Sequence, residues 1–395
     1  MKYLLPILLC AAACTSTVSE TATLELKVQA VGYGGKEVPL HTVMSLPEGF
    51  SHTPIEEIDV EIAEGVPGQV VRGKGGMVEL WWIDPKLSSG EEQVLTADMK
   101  RGKNEGFEWH TKARKHDDLL LDGRKVLRYM CAFDPSTPER LLETYKPFHH
   151  VFDAAGEAYI TKGPGGLYTH HRGLFIGWNR LTFEEKEYDF WHMKGVNQVH
   201  MEVLDKEAGP VLGRSRTVVH WNLAPDDPVI IEEREVTVYR QSPPALLLLD
   251  FKSTLKAVKG DVFLNGDPEH AGFQFRATNY VAEGPAEDKA VYLFHADGID
   301  PKKDKDLPWV AMRFGLNGKY YVVQHMNHPD NPEGTVYSAY RDYGRFGAFP
   351  AVEVKAQEPL TLRYRVYVME GEMPARKAMA ERYSAYTKTP EVVIQ

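Results

Sequence analysis

The residues of this chain best suited to chemistry are its histidines, and the densest stretch reads "YTHHRGLFIGW" over residues 168–178. His170 and His171 stand side by side with Arg172 next, flanked by apolar, aromatic and glycine residues. Read as a strand, the segment alternates its side chains, so His170 and Arg172 face one way and His171 the other. At least one imidazole then faces what the neighbouring hydrophobic residues bury, and a buried imidazole needs partners. Imidazole titrates near neutral pH, so it can give or take a proton under working conditions.

Other histidines also sit beside turns and aromatics: His149 and His150, His192 in "YDFWHMKG", His200, His220, His270 in "NGDPEHAGFQFR", and His325 with His328 in "QHMNHPDNP". That is the setting of a site carried by a rigid β scaffold. Arg172, Arg276 and Arg345 suit a bidentate clamp on a carboxylate or stabilisation of an enolate-like charge. Tyr343 offers a phenolic proton, and Trp178, Trp191 and Phe346 offer faces for a pyranose ring. Glu269 is the acid of interest, because an aromatic strand follows it at once. Glu184, Glu185, Glu187 and Asp189 read as a solvated face. His325 and His328 are three apart and point oppositely on a strand, so no metal ligand is assigned. The sequence requires no cofactor and leaves a divalent metal open.

No phosphate loop, dinucleotide fingerprint, Gly-x-Ser-x-Gly elbow or His-Glu-x-x-His helix occurs. The net charge of −10 argues against nucleic acid or an anionic membrane face as partner.

The elements that must position these groups are strands. Segments such as "TLELKVQAV", "MVELWWID", "VIIEEREVTVY" and "LTLRYRVYVME" alternate or run apolar, separated by Gly, Pro, Asn and Asp clusters. One helix is expected, over "PARKAMAERYSAY" near the C-terminus. Residues 1–19 read as a signal peptide and tether, with a lipid anchor at Cys14 after three alanines. The expected location is therefore exported, periplasmic or outer-membrane lipoprotein. Residues 20–116 form an immunoglobulin-like β module, with Trp81 and Trp82 as candidates for glycan contact or core. Residues 117–395 form a large antiparallel sandwich.

Three stretches taken together, "THHRGLFIGWN…YDFWHMKG", "NGDPEHAGFQFR" and "NHPDNPEGTVYSAYRDYGRFGAFP", resemble the exported bacterial family labelled methane oxygenase PmoA-like. The resemblance covers roughly residues 118–386. It departs where the family places an Asp-His-Pro before the paired histidines, and Arg345 stands where leucine is common. Methane oxidation is set aside, because the chain has no spanning helix after its leader. The resemblance implies a β-supersandwich similar to galactose-mutarotase-like domains and chemistry on complex glycans.

The expected site combines His170, His171, His270, His325, Tyr343 and Glu269 as catalytic groups, with Arg172, Trp178, Trp191, Arg276 and Arg345 as substrate contacts. The expected activity is acid–base chemistry on an oligosaccharide or polysaccharide, of lyase or dehydratase type. Glycoside hydrolysis using Glu269, a non-catalytic glycan-binding lipoprotein and a metal-dependent oxidoreductase are the alternatives.

Overall fold

A computed structural model describes residues 21–395 except 31–34, 64, 86, 88, 89, 91 and 389. The expected leader and tether, with Cys14, lie outside the described residues. The chain is mostly β, built from antiparallel sheets, with short helices at Pro138–Thr144, Asn279–Glu283 and Arg376–Thr387. No helix among the described residues is long and apolar enough to cross a membrane.

Seven strands make the N-terminal sheet, in the order Val38–Met44, Val78–Asp84, Val66–Arg72, Ile58–Ile62, Glu92–Arg101, Thr21–Gln29 and Glu391–Ile394. Alternate residues point inward, and Leu26, Val28, Leu40, Val60, Leu80 and Trp82 pack into one core. The sheet rolls until its edge strands meet, where Thr42 Oγ1 donates to Val392 O at 3.3 Å. The C-terminal residues thus complete the N-terminal module. Phe107–Lys112, expected within that module, pairs instead with His116–Leu121 of the next sheet. The hand-over between the two units therefore falls just after Arg101, ahead of residue 116. Both tryptophans are buried: Trp82 in the module core, Trp81 against His41, Arg214 and Tyr239. Trp82 offers no face to a glycan.

Two eight-stranded sheets and a smaller four-stranded one make the larger unit among the described residues. One eight-stranded sheet contains Arg345–Phe349, Ala271–Arg276, Leu174–Trp178 and Phe148–Val151 as neighbours; the other contains Ala245–Ala257, Leu360–Glu370 and Lys319–Asn327. Their inner faces share a core in which Phe251 stacks on Phe273 at 4.1 Å and Trp178 meets Trp221 at 6.0 Å. Leu174, Ile176 and Trp178 face this core, as do Phe273 and Phe275. By the period of two, Phe175, Gln274 and Arg276 face the other way. That outer face, roofed by loops, carries the site.

Candidate active site

The paired histidines do not lie on the core strand expected for them. They occupy a turn that precedes Leu174–Trp178 and closes with His171 N donating to Tyr168 O at 2.9 Å. Tyr168 takes a left-handed backbone with φ 54°. Arg172 fastens the turn by donating to the carbonyls of Thr169, His171 and Leu142. Gly173 is required because a Cβ there would sit 2.2 Å from His149 O. Arg172 and Gly173 are thus structural, and the turn folds the two imidazoles back over the sheet.

Two further turns meet it, and each uses an aspartate three residues before a histidine. Asp189 Oδ1 accepts from Trp191 N at 3.1 Å and His192 N at 2.9 Å, while Oδ2 lies 2.8 Å from His192 Nδ1. Asp267 Oδ1 accepts from Glu269 N at 2.9 Å and lies 2.8 Å from His270 Nδ1; Oδ2 accepts from Asn179 Nδ2 at 2.6 Å. An ionised carboxylate only accepts, so each Nδ1 carries a proton, and the neutral ring presents its lone pair at Nε2. Burial raises the Asp189 pKa, but its bonds from His192 and from the backbone outweigh burial and hold it at about 2.

The three turns bring His170, His192 and His270 together. One ligand-capable atom from each lies within 4.8 Å of the others. Ring centroids are 4.3 Å apart for His170–His192, 4.8 Å for His192–His270 and 6.0 Å for His170–His270. His170 Nε2 is buried without a hydrogen-bond partner. These three imidazoles have the donor type and spacing to hold a metal ion. Burial, then the charge of Lys146, holds the His170 pKa at about 2, and burial also lowers His270.

His171 sits beside the cluster, 4.4 Å from His170 edge to face and 6.1 Å from Tyr343 in near-parallel rings. It is buried, its Nδ1 has no partner, and burial followed by the Arg345 charge pushes its pKa well below the usual range. Beneath lie Lys146, Arg172, Arg276 and Arg345, all buried. Among the described residues, the hydrogen bonds they make all go to neutral groups. Arg276 is spent on the carbonyls of Ala277, Thr278 and Tyr343. Arg345 is held more loosely, by Tyr343 Oη at 3.1 Å and by Gln274 and Ser338 at 3.3 Å, with Nη2 unpartnered. Above His270 opens a cleft of about 670 Å³ walled by Asp267, Glu269, Lys302, Tyr340 and Arg341.

Two expected members, His325 and Trp178, fall elsewhere, in the core between the sheets. His325 points from the second sheet into the core, against Tyr337 Oη and Phe273 O at 3.2 Å each. Trp178 faces the same core, with its Nε1 on Pro350 O. Trp191 lies under His171 and His270 with no exposed face for a sugar. Glu269 stands on the cleft wall, paired to Arg341 and in reach of Tyr340. Asp189 proves a half-buried acceptor, not part of a solvated face. His192, Asp189 and Asp267 complete the site, and their signal was the Asp-x-x-His spacing at 189–192 and 267–270.

The profile of DUF6807, a family of unknown function, matches residues 117–384. The chain belongs to DUF6807. No curated protein matches it. Every site residue from Lys146 to Arg345 lies inside the DUF6807 segment, whereas the strands Thr21–Gln29 to Glu92–Arg101 precede it.

Proposed function

We propose that the DUF6807 domain is a carbohydrate-active enzyme doing proton-transfer chemistry of lyase or dehydratase type. One observation carries this reading: four imidazoles gather with three buried arginines that have no carboxylate hydrogen-bond partner among the described residues, beside an open polar cleft that His270 lines. A buried cation without a counter-charge favours negative charge on, or developing on, the bound substrate. The substrate class is an oligosaccharide or polysaccharide bearing a carboxylate or carbonyl next to an acidic C–H, as in uronic acids. Tyr340, Lys302 and Arg341 supply the aromatic and hydrogen-bonding wall such a ligand needs.

His171 removes the proton from carbon, and the freed electron pair becomes the new C=C bond. The C–O bond at the next carbon breaks, its pair leaves with the oxygen, and Tyr343 returns a proton to that oxygen. Arg345 stabilises the negative charge that builds on the enolate oxygens. Hydrolysis through Glu269 fits less well, because that carboxylate is already paired to Arg341. The reading includes export, to the periplasm or as an outer-membrane lipoprotein anchored at Cys14.

Ultraviolet absorbance of the full chain mixed with uronic-acid oligosaccharides tests this. Growth of an unsaturated-product band, lost in His171→Ala, supports it; a flat trace with every such oligosaccharide counts against it.

A further inference from the structure

We infer that His170, His192 and His270 form a binding site for one divalent transition metal ion with a coordination position left open. The inference goes beyond proton transfer and stands apart from the identity of any sugar.

Its first support is convergence. Three ligand atoms from three separate turns lie within 4.8 Å of one another. Around zinc, imidazole nitrogens at ~2.0–2.1 Å from the ion stand roughly 3.4 Å apart. Small side-chain rotations close the difference, and the rings are already in contact.

The second support is orientation. Asp189 and Asp267 each hold a histidine by Nδ1 at 2.8 Å, which aims the unprotonated Nε2 away from its own turn. A carboxylate behind a ligating imidazole fixes its tautomer and raises its basicity, and metal-binding histidines nearly always have such a partner. A histidine serving only the fold has no need of this device twice around one point.

The third is His170 itself. Its Nε2 is buried and makes no hydrogen bond, an arrangement that costs about 1–3 kcal/mol when nothing binds there.

Charge and donor type narrow the ion. Three neutral nitrogens exclude calcium and magnesium, which take oxygen, and suit zinc, cobalt, nickel, copper or iron. The two aspartates offset the ion's charge, which matters because Lys146 and Arg172 lie close enough to affect His170. Three protein ligands rather than four mark a site that also takes water or a substrate oxygen. His270, one of the three, also lines the cleft.

The test uses the full chain, stripped with a chelator, dialysed, and titrated calorimetrically with Zn²⁺ or Co²⁺. One equivalent should bind per chain, and the Co²⁺ form should show the visible absorption of a low-coordinate nitrogen site. His192→Ala and His270→Ala should weaken binding at least 100-fold, and Asp189→Asn and Asp267→Asn about 10–100-fold. His328→Ala, on a distant turn, should bind as the unaltered chain does. Where an alanine variant melts early, His192→Gln and His270→Gln keep the volume and should lose the metal equally. Absence of stoichiometric binding by the folded chain overturns the inference, as does binding that survives both glutamine changes. Metal bound without any sugar product keeps this site and removes the elimination reading; product formed by a chain that binds no metal does the reverse.

Discussion

Asp267 and His270 are joined by a 2.8 Å hydrogen bond across a turn that the same carboxylate oxygen also closes, through Glu269 N. Asp189 and His192 repeat the arrangement from a different part of the chain. Each aspartate therefore fixes a backbone turn and an imidazole tautomer at once, and the two imidazoles face a third, His170.

Asp189→Asn separates these roles. The amide oxygen can still accept from Trp191 N and His192 N, while its NH₂ forces His192 Nδ1 to become the acceptor. The proton then moves to Nε2, the wrong side for the site. Turnover should fall by about 10–100-fold while stability shifts by about 1 kcal/mol or less. Steady-state kinetics and imidazole ¹⁵N spectra read the two effects separately.

Arg345 and Arg172 should behave oppositely. Arg172 satisfies three carbonyls, so Arg172→Met orphans them and should cost about 3 kcal/mol or more, counting roughly 1 kcal/mol or more for each. Arg345 is buried with one nitrogen unpartnered, and its bonds, at 3.1–3.3 Å, all go to neutral groups. Arg345→Met should be neutral or stabilising while lowering turnover about 100-fold. Denaturant unfolding and activity assays of both variants check this.

Much of the fold was legible because its rule is short-ranged. The alternation of "LFIGW" correctly implies a strand, and its period of two assigns Leu174, Ile176 and Trp178 to one face. The same rule misplaces His170 and His171, because nothing in "YTHHRG" says that Arg172 will cap carbonyls from residue 142 as well as its own turn. His325 shows the converse limit. A histidine among aromatics on a strand reads alike whether it faces solvent or core, and only the opposing sheet, with Phe273 on it, decides. The four-residue strand Glu391–Ile394 joins the N-terminal sheet by long-range pairing that no local pattern encodes. The repeated Asp-x-x-His spacing was visible, but a spacing becomes a site only when distant turns meet.

Gly173→Ala probes the packing that folds the histidine turn back. The added Cβ would meet His149 O at 2.2 Å and Thr161 Cβ at 3.0 Å. Backbone must shift, so the change should cost about 1–3 kcal/mol and reduce activity through displaced His170 and His171. A lowered urea midpoint with an unchanged slope is the expected record.

His325 predicts a pH dependence of stability that is independent of the site. Burial holds its pKa at about 3 in the folded chain, against about 6.5 unfolded. The unfolded chain therefore binds the proton first. This contribution is complete above pH 6.5 and is lost as pH falls toward 3, at about 1.4 kcal/mol per pH unit. His325→Gln keeps hydrogen-bonding groups without titrating, so its melting temperature should fall less steeply between pH 6.5 and 4.

The most direct measurement is mass spectrometry of products after the full chain meets matched neutral and uronic-acid oligosaccharides, run beside His171→Ala and His270→Ala. The account predicts that the acidic set loses water or yields unsaturated fragments, and that both variants abolish the change. No mass change with any acidic oligosaccharide, or a change that persists in both variants, would contradict it.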